Sequence, residues 1–337
     1  MTAGPNKRVK SPLYTDLPDL AAERLGGVVI AANDDFFAPK ENLVKASRPE
    51  WREGEYTDRG KWMDGWETRR RRTPGHDWAI IRLGLPGIVR GVVIDTSFFT
   101  GNFPEEASID AAAIDGSPRA DRMTSDSIGW RPLLRKSRLR GDTVNAFAVK
   151  SKGTRVTHLR LNIFPDGGVA RLRVHGEVVP DEAVFEPGRE VDLAALENGG
   201  FVVSCSDMHY GNRQHLILPG RSTHMGDGWE TKRRRGPGHD WAIVRLSRRG
   251  VIGRVELDTD YFKGNAPGKC MLEYADTGAS SGARPGRWKI LVPESPLEPD
   301  AQHHWERLST GAATHVRLNI YPDGGIARLR VIGRVAG

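Results

Sequence analysis

The chain has 337 residues and a formal net charge of +7, with 50 Lys and Arg against 43 Asp and Glu. That length suits two domains, each with its own core, and Arg interleaved with acids favours a pocket for small anions over a nucleic-acid stripe. Two cysteines, Cys205 and Cys270, cannot staple two domains and fit a reducing cytosol. No apolar run approaches the roughly twenty residues of a membrane span and the N-terminus lacks the apolar core of a signal peptide, so a cytoplasmic protein with neither membrane nor nucleic-acid partner is expected.

In chain order, residues 1–15 are polar and carry Lys7, Arg8 and Lys10 with two prolines, which reads as a loose arm. Asp16 to Leu25 suits one or two helical turns, and VVIAAND from Val28 suits a short buried strand ending in the acidic loop at Asp34 and Asp35. Ala38 to Lys61 is a charged stretch with a much shorter counterpart later in the chain, of a kind that serves as a lid or an oligomer contact.

Strand signals follow: DWAIIRLG, IVRGVVIDTSFF, ASIDAAAID, NAFAVKS, HLRLNIF and ARLRVHG, each bounded by Gly, Pro, Asp or Asn. Leu159, Leu161 and Ile163 alternate with His158, Arg160 and Asn162, the pattern of a strand with one buried face. Pro165-Asp166-Gly167-Gly168 is turn chemistry and predicts that its flanking strands lie side by side. Many short strands with little helix indicate a β-sandwich.

The chain then repeats itself. Asp64–Ile80, DGWETRRRRTPGHDWAI, recurs at Asp227–Ile243 with only Arg69 and Thr73 replaced, by Lys232 and Gly236. GGVVIAANDDFF from Gly26 corresponds to GGFVVSCSDMHY from Gly199, and LNIFPDGGVARLRVHG from Leu161 to LNIYPDGGIARLRVIG from Leu318. The period is too long for a solenoid. It gives two tandem domains, a first repeat over 16–176 and a second over 189–337, joined by a linker at 177–188.

The repeated block concentrates ionisable groups that a core strand would not bury unpaired. Arg70, Arg71 and Arg72 can bind a carboxylate through their forks, and His76, followed by Asp77, is the most tunable acid–base group. Taken singly, an arginine tract is ordinarily a solvated face and a His beside an Asp a satisfied structural pair; two near-identical copies inside halves that otherwise differ favour function. No P-loop, Rossmann glycine pattern, paired-cysteine motif or nucleophile elbow is present. His209 and His215, or His303 and His304, are the candidate metal ligands, and the metal requirement is left open.

The paired arrangement, the GGVVIAANDDFFAPKENL start, the DGWETRRRR block with PGHDWAI, and the LNIFPDGGVARLRVHG close resemble the allantoicase family from about Asp16 to Gly333. The resemblance implies an all-β chain of two tandem galactose-binding-like jelly-roll β-sandwich domains, a hydrolase converting allantoate to ureidoglycolate and urea, and a homo-oligomer; no cofactor is certain, and a divalent metal is a candidate. On that substrate Arg70 to Arg72 would anchor the carboxylate, Asp64, Glu67 and Asn102 would bind the ureido groups, and His76 with Asp77 would move protons, with Glu67 the competitor. The second repeat offers Arg233, Arg234, Arg235, Asp227, Glu230, Asn265, His239 and Asp240 for the same roles. Because it reads SDMHYGNRQHL where the first reads NDDFFAPKENL, the two are not expected to contribute equally. A non-catalytic tandem module binding small anions or carbohydrates is the alternative, and fold alone does not decide between them.

Overall fold

A computed structural model describes residues 13–114, 116, 120–123, 128–151, 153–278 and 285–336. The expected arm at 1–15 lies outside these residues apart from Leu13–Thr15, which open a 3-10 turn over Leu13–Asp16. The chain forms two compact units, 1–179 and 180–337. Each is an all-β jelly-roll sandwich, with short 3-10 turns and, among the described residues, one four-residue α-turn at Ala120–Met123. Among the described residues no helix is long and apolar enough to cross a membrane.

The organising element of the first unit is one continuous strand, Asp77–Asp95, where the sequence suggested two. Its first half pairs with Val28–Ala32 and Val156–Phe164, its second half with Val144–Ala148 and Arg171–Val178, and the register slips between Arg82 and Gly87. The slip is possible because Gly84 and Gly87 let neighbouring backbone in: a Cβ there would lie 2.3 Å from the Leu25 and Glu177 carbonyls. Leu85-Pro86-Gly87 therefore bends a strand and does not end it. Asp240–Asp258 does the same in the second unit, slipping between Arg245 and Gly250.

This geometry corrects several local expectations. The strands flanking Pro165–Gly168 are not neighbours; each pairs with a different half of Asp77–Asp95, so the turn carries the chain from one half to the other. The alternation in Val156–Phe164 holds for buried Leu159, Leu161 and Ile163, but His158 and Asn162 opposite them are buried as well. Asn162 donates to Asp110 at 3.0 Å, and Arg160 lies over Trp130 while pairing with Asp110. Arg131–Arg138 is a strand that its charges concealed. At the far end, Glu177 and Val178, expected in a linker, are the last rungs of Arg171–Val178 and face Ile88 and Gly87.

Beneath the repeated block lies a buried ion pair. Arg171, fully buried, donates to Asp64 Oδ2 at 2.6 Å, to the Asp64 carbonyl at 2.9 Å and to the Ser47 carbonyl at 3.1 Å. Burial pushes the Asp64 carboxyl up, but the Arg171 hydrogen bond, the Glu50 amide and the charges of Arg171 and Lys45 outweigh it and hold the group below its ordinary value. Its contribution to stability is therefore present at neutral pH and lost as pH falls through that depressed value. Asp64→Ala, which strands a buried guanidinium, should destabilise the first unit by about 3–5 kcal/mol. Glu55→Ala, which breaks the exposed pair with Arg52, should change stability by less than about 1 kcal/mol; urea unfolding of both variants checks the contrast.

Candidate functional site

Three segments meet at the Pro165–Gly168 turn. The Thr68 amide donates to the Gly167 carbonyl at 3.2 Å, and the Gly167 amide donates back to Thr68 Oγ1 at 3.1 Å. From the third segment, the Asn102 carbonyl accepts the Gly168 amide at 2.7 Å. Glycine is needed at both positions: Gly167 has φ of +134°, and a Cβ on Gly168 would lie 1.9 Å from the Phe99 ring. Glu67 is clamped along both backbone edges. It faces Gly168 on one side, and on the other its amide donates to Ala38 at 3.1 Å while its carbonyl accepts from Phe37 and Ala38.

These constraints bring two side chains together. Asn102 Nδ2 donates to Glu67 Oε1 at 2.6 Å, at the edge of a cavity of about 230 Å³. At roughly 30 Å³ per water, that space holds on the order of seven waters or one small polar molecule. Its apolar lining comes from Phe37, Trp51, Met63 and Phe98, its polar lining from Glu67, Asn102, Thr100 and Lys61. Burial pushes the Glu67 carboxyl above its ordinary value, and the Asn102 hydrogen bond opposes the shift without cancelling it. Phe98 has a φ of +68°, uncommon for a bulky residue; Asp142 holds it there by accepting its amide at 2.8 Å.

One wall of the cavity is the part of the first unit that the second lacks. The turn Lys40–Val44 has a counterpart in Arg213–Ile217, so the extra length begins after Lys45 and not at Ala38. It folds into a small hairpin, Tyr56–Thr57 against Gly60–Lys61. Arg59 at its tip donates to the Phe36 carbonyl at 3.0 Å, Lys61 Nζ lies 4.0 Å above the Trp51 ring, and that ring lies 5.8 Å from Phe98.

The other sequence-predicted residues sit elsewhere. Arg70 and Arg72 are exposed on the loop after Glu67. Arg71 folds back to donate to buried Asp77 at 2.6 Å, where Asn33 also donates at 2.7 Å. The His76 ring packs at a tilt against Phe164, with centroids 4.7 Å apart, and Asp64 is held by Arg171. In the second unit Glu230 and Asn265 pair at 2.7 Å, with Met225 Sδ 3.3 Å from the same Asn265 amide. Arg234 pairs with Asp240, Asp227 with Arg328, and His239 Nε2 meets Asn319 Oδ1 at 3.1 Å, while Arg233 and Arg235 are exposed. Among the candidate metal ligands, His215 Nδ1 hydrogen-bonds the Gly228 carbonyl, and His303 is engaged at both nitrogens, accepting from the Glu298 amide and donating to the Leu257 carbonyl. Among the described residues no three His, Cys, Asp or Glu converge as metal ligands would.

The chain matches the model of the allantoicase repeat twice, over residues 18–179 and 191–336. It belongs to the allantoicase family. A probable allantoicase of Nocardia farcinica is 50% identical over 332 residues, covering 98% of each chain, and the allantoicase of Dictyostelium discoideum is 45% identical over 95% of this chain and 88% of its own. The crystal structure of Saccharomyces cerevisiae allantoicase superposes with a TM-score of 0.79 at 36% identity, covering 94% of this chain and 92% of that one. Within this family framework, sequence reasoning had singled out Glu67 and Asn102 but passed over Trp51, Lys61 and Phe98. The signal for the first two was the excess length of the first repeat; Phe98 had none, because its backbone conformation is set by Asp142.

Glu67 binds its proton more tightly in the folded state than unfolded, so at neutral pH its charged form opposes folding, and the penalty disappears as pH falls through the raised value. Glu67→Gln keeps an acceptor for Asn102 and removes that charge. Its melting temperature at pH 7 should equal or exceed the parent's, with the difference vanishing as pH falls to about 4, the ordinary glutamate range. Thermal scans across pH test this, and a variant uniformly less stable at every pH would contradict it.

Proposed function

We propose that this allantoicase-family chain hydrolyses allantoate to ureidoglycolate and urea, with the Glu67–Asn102 cavity of the first unit as the place of reaction. The observation that supports the placement is a carboxyl with one oxygen fixed by an amide and its proton affinity raised by burial, on the wall of a cavity sized for a small polar molecule. Allantoate carries a carboxylate and two ureido groups on one carbon. In the hydrolysis, water oxygen bonds to that carbon while the carbon–nitrogen bond to one ureido group breaks. The proton lost by water ends on the departing nitrogen, leaving urea and a hydroxyl on the carbon.

Glu67 can serve both halves of that proton traffic, because a carboxyl with a raised proton affinity is a better match to neutral pH than an ordinary one. Asn102 holds it in one orientation, and the Thr100 hydroxyl offers the ureido groups a hydrogen-bonding partner. His76 is the second candidate for proton transfer; Asp77, which would have to support it, is already committed to Arg71 and Asn33. The second unit keeps the Glu230–Asn265 pair without the hairpin wall, which supports the reading that the first carries the larger share of turnover. A homo-oligomer, as the family resemblance implies, and a cytoplasmic location, as the scarcity of cysteine suggests, are part of the same reading.

Urea release from allantoate by four purified proteins tests the assignment. Glu67→Gln should lower turnover by about 10² to 10⁴, the range of one positioned proton-transfer group. Glu230→Gln should keep more than about half of the parent rate, and His76→Asn should lose less than about tenfold. A larger loss from either of these than from Glu67→Gln would overturn the assignment.

A further inference from the structure

The Glu67–Asn102 cavity poses an electrostatic problem that the repeated block does not solve. A substrate carboxylate entering beside Glu67 brings a second negative charge into a partly desolvated space, where like charges repel strongly. Some cation must face it. The arginines expected to do so are not on the cavity wall: Arg71 is paired with Asp77 at 2.6 Å, and Arg70 and Arg72 lie exposed on the loop beyond; neighbouring Arg69 is paired with Asp34 at 3.2 Å.

The cation that does line the cavity is Lys61. It sits at the end of the Tyr56–Lys61 hairpin, and among the described residues no carboxylate lies within ion-pair distance of it. Its ammonium rests 4.0 Å above the Trp51 ring, which is itself 43% exposed. A cation–π contact of this kind at an exposed site is weak but enough to bias the side chain toward the cavity. A charge-assisted hydrogen bond to a carboxylate is stronger than that contact, so an incoming carboxylate can take the ammonium over.

Resting on the functional reading above, we propose that Lys61, oriented by Trp51, captures the substrate's carboxylate and so selects ureido compounds that carry one. The selectivity belongs to the first unit alone. Between Tyr210 and Asp227 the second unit has no lysine; of its two arginines there, Arg213 donates to the Val202 carbonyl and Arg221 is paired with Asp260.

The test compares allantoate with methylenediurea, the same two ureido arms on one carbon without the carboxylate, used as a competing inhibitor. Lys61→Met should raise KM for allantoate at least tenfold, while the inhibition constant of methylenediurea changes by less than about twofold. Lys61→Arg should restore most of the allantoate affinity, and Trp51→Leu should give an intermediate rise in KM. An unchanged KM in Lys61→Met, or an equal weakening of both compounds, would overturn the proposal. So would a double variant Arg70→Gln with Arg72→Gln that reproduces the selective loss while Lys61→Met does not. Loss of turnover in Glu67→Gln is read separately, so failure of Glu67 as the proton-transfer group and failure of Lys61 as the anchor give different patterns.

Discussion

The Pro165–Gly168 turn is the constraint on which the site of the first unit depends. It joins strands that pair with opposite halves of Asp77–Asp95, and its own amides and carbonyls are then free to receive other segments. Thr68 takes the Gly167 pair and the Asn102 carbonyl takes the Gly168 amide. Glu67 and Asn102, far apart in sequence, are thereby fixed within hydrogen-bonding reach by backbone, before any side-chain preference enters. Preorganisation of that kind leaves little side-chain freedom to lose when a ligand binds. The Phe99 ring, buried against Gly168 and packed with Met63 and Ala170, closes the underside.

Charge burial explains why the repeated block is so dense in ionisable residues. Much of that density is internal pairing: Asp64 with Arg171, Arg71 with Asp77, and in the second unit Asp227 with Arg328 and Arg234 with Asp240. A buried ion pair stabilises weakly in net terms, but removing one partner is severe, so both members persist together. Two near-identical blocks can therefore reflect a shared scaffold as much as a shared chemistry. Glu67 stands apart from these ion pairs, held by the Asn102 amide, whereas Asp64 is committed to Arg171.

The architecture was legible in sequence because it rests on periodicity and repetition, both local signals. The strand pattern, the turn residues and the doubled motif each announce themselves within a few tens of residues. What was not legible depends on which strand lies between two others. The flanks of Pro165–Gly168 look like a hairpin because nothing in their residues reveals that Asp77–Asp95 runs between them. Arg171 and Arg328 carry no local sign of burial, since the carboxylates that hold them lie about a hundred positions upstream. Lys61 and Trp51 were passed over because a charged insertion carries no motif; only the hairpin brings them to the wall that Glu67 faces.

The two units show how one scaffold can surround the same side-chain pair differently. Both have the glycine turn, the Glu–Asn pair at 2.6 and 2.7 Å, and a bulky residue at positive φ, Phe98 in one and Tyr261 in the other. They part at the connection leading into the block. In the first unit it is long enough to build a hairpin whose aromatic and cationic side chains line the cavity beside the carboxyl, and burial there raises Glu67's proton affinity. In the second it is short, and Met225, 45% exposed, lies against Asn265. A Glu–Asn pair alone supplies hydrogen-bonding groups; the hairpin supplies an enclosing wall and an opposite charge, and it displaces water from the polar groups it covers. The scaffold therefore sets where the carboxyl stands, while the length of one connection sets the environment in which it works.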